Sequence, residues 1–144
     1  MFCLRPIVLD TNLVVSAFLR PESIAATALE IALIHFEVVY SVETLSELAD
    51  VLSRKKFDKY LGNDERKLLT KDYAEASLMV RVNTAVLASR DPKDDKFLAL
   101  AIDAHAVALV TGDKRDLLSL KRLRDIPILG VREFTEKYVQ LLDG

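Results

Sequence analysis

Residues 6–12 read PIVLDTN. Ile7, Val8 and Leu9 run without a break into an aspartate, and the chain turns apolar again at Leu13. A strand with one face in water alternates polar with apolar. An unbroken apolar run of strand length is the signature of a strand buried on both faces. Ending such a run on a carboxylate is costly, because the group loses its hydration unless cations or hydrogen-bond donors meet it. The reading of Asp10 therefore depends on what converges on it.

The same type of run recurs along the chain, separated by segments with helical period. Residues 12–19 predict a short helix closed by Arg20 and Pro21, and Ser23 caps a longer one over IAATALEIALIHF. EVVYS (37–41) is a second strand. VETLSELADVLSRKKF (42–57) is an amphipathic helix with Leu45, Leu48, Val51 and Leu52 on one face. Gly62 and Asn63 break the chain before a helix over 64–80. A weak third strand is expected at VRVN (80–83) or AVLA (85–88). Asp91 and Pro92 open a helix through Ala104. AVALVT (106–111) is a strand, DLLSL (116–120) a short helix, IPILG (126–130) the last strand and REFTEKYVQLL (132–142) the last helix. Strands alternating with helices argue for a parallel sheet covered on both faces, whose ligands bind beyond the carboxyl ends of the strands.

Composition narrows the field. The 144 residues suit one domain spanning 1–144, and 51% hydrophobic content supplies a sizeable core. A protein that grips nucleic acid by bulk charge is basic; this chain has a formal net charge of -2, so nucleic-acid contacts must be local. Cys3 is the only cysteine, which rules out an internal disulfide and a cysteine zinc site and fits a cytoplasmic protein. The N-terminal stretch does not read as a signal peptide, and no run of uncharged apolar residues is long enough to span a membrane.

Three segments deliver acid to one rim. Asp10 ends the first strand, and Asp113 follows the strand ending at Thr111. The helix opened by Asp91 and Pro92 runs back antiparallel to that strand, which places Asp94 and Asp95 at the same edge. Glu47, in the helix after the second strand, is a fourth candidate. Each has a plain alternative. Asp10 and Gly112-Asp113 could be turn residues, Asp94 a first-turn acid suited to the helix dipole, and Glu47 part of a solvated face. Together they crowd like charges, which a hard divalent cation with oxygen ligands makes tolerable. Metal-assisted phosphodiester hydrolysis is the matching reaction class. His35 and His105 sit at helix ends with no partner spacing for a metal or a triad. The basic run Arg54, Lys55, Lys56 and Lys59 reads as the end of its helix, with RNA phosphate contact as the alternative.

VLDTN, SVETLSELADVLSRKKF, DPKDDKFLALA and LVTGDKRDLL together resemble the PIN-domain family of Mg²⁺/Mn²⁺-dependent ribonucleases, in particular the VapC-like toxin components of prokaryotic toxin–antitoxin pairs. The resemblance implies a three-layer α/β/α fold with a parallel five-stranded sheet in the order 3-2-1-4-5. It implies Asp10, Glu47, Asp94 and Asp113 as catalytic acids, with Asp10, Asp94 and Asp113 holding Mg²⁺ or Mn²⁺. Asp95 replaces Asp94 if the preceding loop is one residue shorter. Arg115, inserted before Asp116, leaves the role of Asp116 open. Asn12, Lys114 and Arg115 are the expected substrate contacts. The implied reaction is in-line attack of water on RNA, leaving a 5′-phosphate and a 3′-hydroxyl. A small antitoxin that wraps the protein and a homodimer are the expected partners. Two rivals remain at this level. One is an aspartyl-phosphate phosphatase, weakened because Asn12 stands where its second acid belongs; the other is a non-catalytic module that kept the fold.

Overall fold

The computed structural model describes residues 4–85, 92–112 and 115–143. Its strands are β1 (Pro6–Leu9), β2 (Glu37–Tyr40), β3 (Leu78–Met79), β4 (Ala108–Thr111), β5 (Arg122–Leu123) and β6 (Ile126–Gly130). They lie side by side in the order β3-β2-β1-β4-β6-β5. All neighbours pair parallel except β5, which is antiparallel to β6. The parallel part has the expected order, with β6 as its fifth strand, and β5 is an addition. It exists because Lys121 and Arg124 adopt left-handed backbone, with φ of 61° and 55°, which lets the chain reverse tightly and pair with itself.

The helices are α1 (Thr11–Leu19), α2 (Ile24–His35), α3 (Val42–Leu52), α4 (Asn63–Glu75), α5 (Asp95–Asp103), α6 (Arg115–Leu118) and α7 (Val131–Tyr138). The period-2 alternation of the strands sorts consecutive apolar residues to opposite faces. Ile7, Leu9, Val38, Ala108 and Val110 pack with buried residues of α1, α2, α3 and α7. Val8, Val39, Leu109, Ile126 and Ile128 pack with Phe97, Leu98 and Leu117 of α5 and α6. This two-sided burial explains why PIVL and ALVT contain no polar alternation. Phe36, Phe134 and Tyr138 form a ring cluster with centroids 5.1–5.8 Å apart under one face.

Two expectations need correction. The third strand is Leu78–Met79, inside the stretch predicted as helix. α4 stops at Glu75, and the next residues satisfy the open ladder of β2, with Val39 opposite Leu78, Tyr40 opposite Met79, and the Val80 N–H donating to the Tyr40 carbonyl at 2.8 Å. Leu78 and Met79 stay about half exposed, so they offered no core face to continue the helix. Residues 80–83 form no strand, and 86–88 of the other candidate lie outside the described residues.

The helix expected to reach Phe57 ends at Leu52. The reason is Arg66 of α4, which is buried. Its guanidinium donates to the carbonyls of Leu52 at 2.5 Å, Arg54 at 2.9 Å and Leu61 at 3.1 Å, and it pairs with Asp58. Capture of the C-terminal carbonyls sends the chain into a 3₁₀ turn over Lys55–Phe57. The basic run therefore lies in that turn and beyond it, with Lys56 and Lys59 over the rings of Phe57 and Tyr60.

Candidate active site

Asp10 leaves β1 at its carboxyl end and is fully buried. It caps α1: its Oδ1 accepts the Leu13 N–H at 2.9 Å, so the plain turn reading of this residue is also correct. The same oxygen accepts the Gly112 N–H at 3.4 Å, and Oδ2 accepts the Thr111 hydroxyl. The register makes this possible. β1 lies beside β4, Leu9 is opposite Val110, and the Asp10 N–H donates to the Val110 carbonyl at 3.1 Å. Thr111 and Gly112 then fall next to Asp10. The side chain is thus held by donors from two strand ends, which meets the desolvation cost raised by the sequence. Its charge is felt nearby: burial, reinforced by Asp10, pushes the Tyr73 phenol up.

Glu47 reaches the same rim from the second turn of α3. Ser41 and Thr44 cap that helix reciprocally, with Ser41 N–H to Thr44 Oγ1 at 2.9 Å and Thr44 N–H to Ser41 Oγ at 3.2 Å, which fixes its entry beside β2. Glu47 Oε2 accepts the Thr11 hydroxyl, and Oε1 pairs with Lys96 Nζ at 2.8 Å. Both carboxylate oxygens are therefore oriented. Lys96 stands in the first turn of α5, two residues after Asp94, so one chain of contacts joins the Asp10-Thr11 step, Glu47 and the start of α5.

Asp94 ends a 3₁₀ turn, Pro92–Asp94, and is buried. It occupies the N-cap position of α5, ahead of the first turn in which the plain reading set it, and its side chain makes no capping bond; Asp91, the expected helix opener, lies outside the described residues. Asp95 is half-buried. Asp113 and Lys114 lie outside the described residues. Arg115 opens α6, and its side chain and that of Asp116 lie outside the described part. Asn12 is exposed at the rim.

Asn12 and Glu47 border an open groove of about 790 Å³, lined also by Thr11, Glu43, Asp50, Arg54, Lys93 and Lys96 among others. Among the described residues, no three histidine, cysteine or acidic side chains close into a metal-ligating group. The donor chemistry nevertheless suits a hard cation. Every candidate is an oxygen, and two of the carboxylates, Asp10 and Asp94, are withdrawn from water. The third acid of the expected set is Asp113, which follows Gly112, the residue whose N–H reaches Asp10.

Sequence reasoning missed Lys96 and Thr111. Thr111 could have been found by aligning the ends of β1 and β4, since it is the last strand residue before Gly112. Lys96 shows no signal beyond its place one turn from the paired acids. Thr11, beside Asp10, donates its hydroxyl to Glu47.

Comparison with known proteins places this geometry. The sequence profile of a family described as PIN domain matches residues 6–115. An uncharacterized protein of Methanocaldococcus jannaschii is 36% identical over 118 residues, which is 80% of this chain and 74% of that protein. The fold is similar to that in the crystal structure of VapBC2 from Rickettsia felis bound to a DNA fragment from their promoter. The TM-score is 0.62 at 16% identity, over 87% of this chain and 98% of that one. It is also similar to the crystal structure of DNA bound VapBC from Salmonella typhimurium. There the TM-score is 0.60 at 14% identity, over 89% of this chain and 99% of that one. At these identities the likeness is one of fold.

Proposed function

Because the chain belongs to the PIN-domain family, we propose that it is a metal-dependent endoribonuclease and the toxin of a toxin–antitoxin pair. The observation that supports this reading is the chain of contacts from Thr11 through Glu47 to Lys96, which joins the residue after Asp10, α3 and the first turn of α5 behind Asp94. Two of these acids are buried, and no catalytic histidine or cysteine is needed to complete the set. Asp10, Asp94 and Asp113 would hold Mg²⁺ or Mn²⁺, directly or through water. Bound there, the cation supplies charge neutralisation at the scissile phosphate and lowers the pKa of a water molecule.

The protein's own groups supply orientation. Thr111 and the amides of Leu13 and Gly112 hold Asp10 in one rotamer, so its carboxylate needs no reorganisation. Thr11 and Lys96 do the same for Glu47, which orients the attacking water for in-line approach to phosphorus. Asn12, Lys114 and Arg115 bind the backbone phosphates flanking the cleavage point. The products carry a 5′-phosphate and a 3′-hydroxyl. Unpaired RNA is the favoured substrate, because an open groove admits a single strand with its bases splayed. The toxin assignment rests on the two VapBC folds. An antitoxin would cover the acidic groove, and a homodimer and a cytoplasmic location fit the same reading. Among the described residues no helix is long and apolar enough to cross a membrane.

The test is cleavage of single-stranded RNA by protein purified with chelator. Activity should appear on adding Mn²⁺, disappear with excess chelator, and yield 5′-phosphorylated fragments. Cleavage that persists in chelator with 2′,3′-cyclic phosphate ends would refute the mechanism.

A further inference from the structure

The carboxyl rim carries a second groove, of about 590 Å³, lined among others by Asn12, Ser16, Arg20, Ser23, Gly112 and Arg132. Asn12 borders both grooves. Leu13 and Gly112, whose amides hold Asp10, border the second. The second groove thus runs up to the support of the first acid, and Glu47 does not line it.

The two grooves differ in charge. The first sets Glu43, Glu47 and Asp50 against Arg54, Lys93 and Lys96. The second has Arg20 and Arg132 and, among its described lining residues, no acid. Both arginines are exposed, and neither makes an ion pair among the described residues. Arg20 lies close enough to Tyr60 to lower the pKa of its phenol, and a guanidinium carries five donors. Two exposed guanidinium groups on one groove, with no acid among its described lining residues, suit an anionic ligand. Planar forked donors match phosphate oxygens, and the hydroxyls of Ser16 and Ser23 add neutral donors beside them.

We infer that this groove is a phosphate track for the strand whose scissile bond lies in the acidic groove, with Arg20 and Arg132 gripping backbone phosphates beyond Asn12. The inference rests on the nuclease reading. It adds that the substrate is a strand long enough to occupy both grooves, and that one arm of it is held by charge with little regard to sequence.

The test measures binding of a labelled single-stranded RNA of about twelve nucleotides, a length on the scale of single-strand site sizes, by anisotropy across a salt series. It uses the Asp10→Asn background to prevent cleavage. Each phosphate contact on a single strand contributes about 0.7 to the salt slope. The Arg20→Gln/Arg132→Gln pair should therefore lower the slope by about 1.4 and weaken binding about tenfold or more. Arg132→Gln alone should lower it by about 0.7, a control that leaves Arg20 and its neighbour Tyr60 untouched. With Asp10 restored, cleavage of a dinucleotide should be unchanged by either variant. An unchanged slope for the long strand, or equal losses for long and short substrates, overturns the track while leaving the nuclease reading standing. So does arginine-dependent binding of an acidic peptide without any effect on RNA, which would make the groove a protein-docking site. Failure of the unsubstituted protein to bind or cleave any strand brings down both readings.

Discussion

Asp10→Asn separates chemistry from architecture. The amide oxygen of asparagine can accept the Leu13 and Gly112 N–H bonds that Oδ1 accepts now. Its NH₂ group faces Thr111 Oγ1, which reverses from donor to acceptor. The hydroxyl proton of Thr111 then loses its partner, at about 1 kcal/mol, while removing a buried charge works in the opposite direction. Stability without divalent ions should therefore change by no more than about 1 kcal/mol, or roughly 2–4 °C in Tm for a domain of this size. Mn²⁺ behaves differently. At a concentration about one hundred times its Kd it stabilises a native-state site by about 2.7 kcal/mol, roughly 5–10 °C. That gain should vanish in the variant, and cleavage should fall by at least about a thousandfold, the several kcal/mol expected of lost metal assistance. Calorimetry with and without Mn²⁺, run beside the RNA assay, reads all three quantities. Retention of the full Mn²⁺ shift, or of full activity in protein free of contaminating nuclease, would refute the assignment of Asp10. A large drop in Tm without metal would refute the hydrogen-bond accounting.

Other substitutions test other parts of the structure. Lys96→Met removes a cation 2.8 Å from Glu47 and should tighten Mn²⁺ binding about fivefold by titration calorimetry, the order of 1 kcal/mol for charges across a solvated groove; weaker binding would contradict this. Arg66→Met strands three backbone carbonyls and should cost about 3–5 kcal/mol in urea unfolding. A loss below about 1 kcal/mol would show that the turn holds itself. Asp103 is held below the ordinary carboxyl range by bonds from the side chain and backbone of Thr84 and the backbone of Asn83. A depressed folded-state pKa means this stabilisation is present above the unfolded value, near 4, and is lost as pH falls through the folded one. Thr84→Val should move the Asp103 titration up towards its ordinary value by NMR, and an unchanged midpoint would refute the cause.

The parallel sheet was legible because β1 and β4 are short apolar runs without alternation, and only burial on both faces explains that pattern. The helix caps at Ser23 and Ser41 were legible from local chemistry. The place of β3 was not: Leu78 and Met79 continue an apparent helix, and what makes them a strand is the open ladder of β2, a distant partner. The stop of α3 at Leu52 depends on Arg66, which in the sequence looks like any exposed helix cation. At the site, the topology brings the end of β1, α3 and the first turn of α5 together, through Thr11, Glu47 and Lys96. The partners that orient Asp10 and Glu47, namely Thr111 and Lys96, required register and rotamers that spacing alone does not supply.

The outermost strands, β3 and β5, are two residues each, while the runs with the strongest extended-chain preference, in β1 and β4, lie in the middle of the sheet. A foreign strand approaching either margin finds only a couple of backbone groups to pair with. The segments most prone to templating fibrils become accessible only when the whole sheet comes apart. Resistance to aggregation in this protein should therefore follow its global unfolding equilibrium rather than local fraying.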